Sequence, residues 1–272
     1  MRKTFCDIFK EQKIDINREY SRLYEAFYES TFPTFSVSEM IDYDFDCIWF
    51  KDTCQSLQDF NEEHNINFEK QPQDFSLDYL IFFCEYIYNF ISAIKTSNSS
   101  FNNRDYNKIE RHIYSLIEKL GLKIITKNNF FLFVEESPQV KLVAELVPDT
   151  LSNRILEYNH HSTKGNLDSK KSILLKIAEE LEPQRKDLKA IDTALEKNLF
   201  IAFNNFNIRH NNCNSKDASL YVSEFANLIH KEKEKLYDWI YNQSMIAFIK
   251  LNNIDNNKLF KDIKEKIDNK KS

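Results

Sequence analysis

Glycine occurs only twice in this chain of 272 residues, at Gly121 and Gly165, and proline five times. A backbone that turns often needs both residue types, so long helices are expected rather than a many-turned β fold. Aromatic residues supply 14% of the chain and hydrophobic residues 42%, which is enough to drive folding over most of its length. A chain this long can bury one large core or two modest ones.

Apolar spacing places the elements. A helix is expected over 5–30, with Phe5, Ile8, Phe9, Leu23 and Phe27 among its apolar positions, ending before Pro33. Ser36-Val37-Ser38-Glu39 reads as a capping box opening a second helix that runs to about Phe60. Residues 75–95 form the strongest buried helix of the first half, and the polar run from Lys95 to Asn103 reads as a linker. Ile109, Ile113, Leu116, Ile117 and Leu120 mark the next helix, which Gly121 stops. Two β-rich runs around Lys127-Asn128-Asn129 predict one hairpin at about 122–134. Helices then follow over 138–146, 149–159, from Asn166 or Asp168 to Leu181, from Pro183 to about Arg209, and over 219–250, with a Lys-rich tail. The fold class is therefore mainly α, as a helical N-terminal domain over 1–100 and a helical bundle with one β-hairpin over 104–272.

Charge is unevenly spread. Residues 1–100 hold 9 Lys and Arg against 18 Asp and Glu, and residues 101–272 hold 28 against 24. Either the halves are simply different surfaces, or they dock on each other, or the second half alone meets an anionic partner. Asp42, Asp44, Asp46 and Asp52 lack the glycine and terminal glutamate of a calcium loop and read as a solvated acidic face. The five cysteines form no CxxC and no zinc-ligand spacing, so reduced thiols, no metal and no cofactor are expected. Asp78, Glu85 and Asn89 interrupt the apolar stretch from Leu77 to Ile94, which reads as a buried helix. The N-terminus shows no apolar run of signal length. A cytoplasmic location and no membrane partner are expected.

The segment Asn204-Asn205-Phe206-Asn207-Ile208-Arg209-His210-Asn211-Asn212 stands out. Arg209 and His210 lie three and four residues past Phe206, so both continue the buried stripe of their helix. One reading makes them structural, with Arg209 paired to an acid such as Glu157 or Glu182 and His210 at a helix end. The other makes them a phosphate-binding or RNA-cleaving pair. Arg209 would then hold phosphate and His210 would act as general acid or base, with Asn205, Asn211 and Asn212 orienting them. A second polar cluster, Glu157-Tyr158-Asn159-His160-His161, has no spacing for zinc. It could contribute Asn159, His160 and His161 to an anion site beside Arg209.

On the all-helical pattern after residue 104, the Asn207-to-Asn212 run and, more weakly, LEPQRKDLKAI at 181–191, the second half resembles the HEPN class of abortive-infection and toxin–antitoxin proteins. The resemblance implies a metal-independent endoribonuclease acting on RNA, working as a homodimer. Arg209 matches the motif arginine and His210 the polar position after it. The motif histidine would fall at 214–216, where this chain has Asn214, Ser215 and Lys216. The alternative is a non-catalytic module that binds RNA or protein through helices. In either case the acidic N-terminal half is expected to recruit or regulate through a protein partner.

Overall fold

The structure is a computed structural model. It describes residues 14–29, 35–73, 75–97, 104–135, 137–254, 259–260, 263–264 and 266–267. Among them are twelve α-helices and a single two-stranded antiparallel hairpin, so the fold is mainly α as expected. The chain divides into two compact units, Met1–Phe133 and Val134–Ser272.

The N-terminal unit is built on α4 (Leu77–Ser97), preceded by α1 (Ile16–Tyr28), α2 (Val37–Tyr43) and α3 (Leu57–Glu63) and followed by α5 (Arg104–Leu120). By length and composition α4 could cross a membrane, yet 67% of its most apolar window is buried inside the protein. Its breadth of buried positions, from Leu80 to Ile94, makes it the centre of the core. Around Phe83 gather Tyr20, Phe27, Tyr28 and Phe68, with ring centroids 4.4–6.3 Å away. Edge-on and offset rings of this kind add to simple area burial.

Two expectations change here. The helix expected over 36–60 breaks into α2, a 3-10 turn at Phe45–Cys47 and α3. Its opening is as expected, with Ser36 and Glu39 forming a capping box. The break has a visible cause: Ser56 caps α3 through the Asp59 N–H, and the Asp42 carboxylate accepts from the Leu57 N–H at 2.7 Å. The unit boundary falls after Phe133 rather than near residue 100, because Ile109, Ile113, Leu116 and Ile117 of α5 join the same core as α4. Phe5, Ile8 and Phe9, and the linker residues 98–103, lie outside the described residues. Among the cysteines described, Cys54 and Cys84 are buried and Cys47 and Cys213 exposed, all as free thiols. Burial raises the pKa of the Cys84 thiol.

The hairpin pairs β1 (Leu122–Lys127) with β2 (Phe130–Glu135). Asn128 and Asn129 both take positive φ, 50° and 68°, as a two-residue turn of the primed kind requires. A two-stranded sheet leaves β2 with an open edge, and α4 closes it. Asn89 donates to the Phe131 C=O at 2.9 Å and accepts from the Phe131 N–H at 2.8 Å. Glu85, four residues earlier, accepts from the Phe133 N–H at 2.5 Å. Four helical residues rise about 6.0 Å and two strand residues about 6.6 Å, so the two repeats match. Replacing Asn89 with Ala should cost about 2 kcal/mol, since it orphans a donor and an acceptor at once. Urea unfolding should show a lower midpoint with an unchanged slope. An unchanged midpoint would mean that the edge is satisfied in some other way.

The C-terminal unit winds around its longest helix. It comprises α6 (Pro138–Leu146), α7 (Asp149–Glu157), α8 (Leu167–Leu181), α9 (Arg185–Ile191), α10 (Thr193–Asn205), α11 (Ser223–Ala226) and α12 (His230–Asn252). Helix α12 packs on α6, α8, α9 and α10. Two expected long helices are each interrupted. Asp192 leaves helical geometry at ψ 90° to cap α10 through the Leu195 N–H, splitting 183–209 into two. Ile229 does likewise before α12, where Glu232 accepts from its N–H. Asn166 caps α8, as expected.

Candidate functional site

Helix α10 ends at Asn205, four residues before Arg209. The stop is Asn207, which adopts a left-handed φ of 59°, where asparagine is tolerated and most residues are not. Arg209 and His210 therefore sit in a loop, and the expectation that they extend a helical stripe is corrected. From the loop, the Arg209 N–H returns to the Phe203 C=O at 3.0 Å. The side chain of Arg209 folds inward and is 19% exposed. His210 points outward and, among the described residues, its side chain has no partner.

What holds Arg209 is specific. Its guanidinium pairs with the Glu182 carboxylate and donates to the Ala178 C=O at 2.9 Å. It also lies over the rings of Phe200 and Phe203, at 5.3 Å and 5.7 Å. A second arginine, Arg185, covers the same Phe200 ring at 4.3 Å and bonds Glu196 at 2.6 Å. Glu182 also lies 3.8 Å from Arg185. Two arginines and two glutamates thus close on one phenylalanine where α8, α9 and α10 meet. Each guanidinium faces a carboxylate, which is what a buried or half-buried charge requires.

The asparagines divide by role. Asn212 is buried, accepts from the Asn207 N–H and donates to the Leu220 C=O at 2.7 Å. It therefore shapes the loop. Asn205 bonds back to the Ile201 C=O at its own helix end, and Asn211 is exposed.

The second cluster lies elsewhere. Asn159 donates to the Glu135 C=O at 3.2 Å. His160 is buried, pairs as a β-bridge with Val134 and meets the Ser162 hydroxyl at 2.7 Å. His161 lies against it, with ring centroids 4.1 Å apart. Tyr158 neighbours Lys170 in the first turn of α8, whereas Arg209 contacts Ala178 and Glu182 at its far end. Eight residues of helix from 170 to 178 span about 12 Å. The structure therefore does not bring Asn159, His160 and His161 beside Arg209.

Reading the sequence missed Lys170, Glu196, Glu234 and Asp238. Lys170 is 4% exposed, and its ammonium bonds Glu234 at 2.8 Å and Asp238 at 2.7 Å. Tyr158 stacks on Tyr241 at 4.0 Å and donates to Asp238. Burial, with Asp238 adjacent, pushes the Tyr158 phenol upward. Lys170 precedes Ile173, Leu174 and Ile177, and Glu196 precedes Leu199, Phe200 and Phe203, at helical spacing. A charge set in an apolar stripe was the available signal.

Electrostatics follow the unit boundary. The N-terminal unit holds 15 Lys and Arg against 21 Asp and Glu, and the C-terminal unit 22 against 21. The basic excess after residue 100 thus belongs mostly to α5 and the hairpin, which fold with the acidic unit. A cleft of about 700 Å³ in that unit is lined by Glu39, Asp42, Glu62, Tyr28 and Phe68, with no basic side chain among the described residues. Comparison of the chain with protein-family models, curated proteins and solved structures finds no match.

The Lys170 cluster has a pH signature. The Lys170 ammonium, first, and the Gly165 N–H, second, hold Glu234 below the ordinary glutamate value of 4.5. A depressed folded pKa contributes stability above the unfolded value and loses it as pH falls through the folded one. Lys170→Met should cost about 2 kcal/mol at pH 7, less than for a fully buried pair because Asp238 is 46% exposed. It should also flatten the fall in stability below pH 4.5. Urea midpoints at pH 7 and in acid measure both effects. Equal losses at the two would remove the ion cluster as their cause.

Proposed function

We propose that this chain works by binding rather than by catalysis, as a non-catalytic helical interaction protein of the HEPN-like kind. One observation carries the reading: the Arg209 guanidinium is committed to Glu182, the Ala178 C=O and the Phe200 ring. An arginine that stabilises a phosphorane needs free donors aimed at solvent-accessible space. Here a carboxylate already occupies that position and would repel a second anion. His210, exposed beside it, has no orienting partner among the described residues, so nothing described aligns its ring as the base of a nucleophile–base pair is aligned.

Charge supports the same reading. Binding RNA through its backbone depends on a surplus of Lys and Arg, and the C-terminal unit has a surplus of one. On this proposal, wild-type protein incubated with total RNA leaves it intact, and His210→Ala behaves as wild type. RNA binding is weak at every salt concentration. Cleavage by the wild-type chain that is lost in a folded His210→Ala variant would overturn the reading and restore the ribonuclease.

A further inference from the structure

The two edges of the hairpin differ. Glu85 and Asn89 of α4 close the β2 edge through the backbone of Phe131 and Phe133. Along an antiparallel strand the backbone polar groups alternate sides. Across the Asn128-Asn129 turn Lys127 pairs with Phe130, so Thr126 stands opposite Phe131 and Ile124 opposite Phe133. Phe131 and Phe133 turn away from β1, and Thr126 and Ile124 therefore turn away from β2. Among the described residues, no hydrogen bond reaches the N–H or C=O of either on that open side. Thr126 is exposed. It also lines a cleft of about 410 Å³ together with Trp49, Phe50, Thr96, Asn129 and Phe131, with no charged side chain among the described residues. Trp49 is half-exposed there, its ring 5.2 Å from that of Phe50.

We infer that the β1 edge takes an extended acidic segment of a partner protein as a third, antiparallel strand, with an aromatic side chain seated in the Trp49 cleft. The inference rests on the proposal that the chain acts by binding, and it names the kind of partner. Main-chain bonds to Ile124 and Thr126 supply affinity, and side chains select the segment. Lys123, Ile125 and Lys127 turn their backbone groups toward β2. On the open side they therefore occupy non-hydrogen-bonded pairs, where facing side chains come closest. Carboxylates opposite Lys123 and Lys127 complement them. A second copy of this chain would bring the same lysines to the edge, and edge lysines repel pairing of that kind. A residue opposite Thr126 projects from the same face of the sheet as Thr126. That face carries the cleft, whose uncharged aromatic walls suit a ring.

A synthetic peptide centred on Glu-Phe-Val-Val-Glu tests this on the full chain. Antiparallel addition places its acids opposite Lys127 and Lys123 and its Phe opposite Thr126. Isothermal titration should show binding that weakens with salt, and hydrogen exchange should slow at the Ile124 and Thr126 amides. Methylating the peptide Phe N–H, the donor to the Thr126 C=O, should weaken binding about tenfold. Thr126→Pro, which an edge strand tolerates, should do the same. Trp49→Ala should abolish the preference for Phe over Ala at that peptide position. No binding up to about 1 mM peptide, or binding that leaves the Ile124 and Thr126 amides exchanging as before, overturns the edge. Equal binding of a peptide with Lys in place of both acids overturns the acidic partner. Incubation with RNA separates the two failures. A chain that spares RNA and ignores the peptide loses the edge and keeps the binding reading, whereas one that cleaves RNA and binds the peptide keeps the edge alone.

Discussion

A lysine set into the apolar stripe of α8 organises the C-terminal unit. Lys170 cannot reach bulk water, so its charge must be met where it stands, and α12 supplies Glu234 and Asp238 to meet it. Those carboxylates in turn bind the Gly165 N–H and the Tyr158 hydroxyl. One buried ammonium therefore fixes the loop before α8, the end of α7 and the rotation of α12 about its axis. That rotation decides which side of α12 is left outside. The outer stripe of Trp239 and Ile246 is thus a consequence of where Lys170 finds its partners.

The same rule operates at the opposite end of α8. Arg209, Arg185, Glu182 and Glu196 settle their charges among themselves around Phe200. An arginine neutralised in this way is a clamp for a loop. It holds the turn from Phe206 to Asn212 against the end of α8, and Asn212 completes the turn from within. In the N-terminal unit, Asn89 and Glu85 satisfy the β2 edge by the same logic. In each case polar groups carried by an otherwise apolar helix select one packing arrangement.

Much of this was legible in the sequence, because helices announce themselves by spacing. The stripes of α4, α5 and α8, the Ser36 and Asn166 caps and the Asn128-Asn129 turn all appear where local chemistry places them. Helix ends were read less well. Asp192 and Ile229 interrupt helices whose apolar pattern runs on, and a cap chosen by tertiary packing leaves little trace in periodicity. The domain boundary was misplaced because a polar run looks like a linker whether or not the next helix returns to the same core. At the site, the acid that pairs with Arg209, Glu182, was one of two named from the sequence as examples. The distance between the two polar clusters depended on the direction of α8, which no local pattern records.

The central claim is that Arg209 is spent on structure. A double-mutant cycle on Arg209→Ala and Glu182→Ala, read by urea unfolding, tests it most directly. With Glu182 45% exposed, the account predicts a coupling of about 1 kcal/mol, and single substitutions that each destabilise the fold. No coupling, together with an Arg209→Ala protein as stable as wild type, would contradict it and leave the guanidinium free for a ligand.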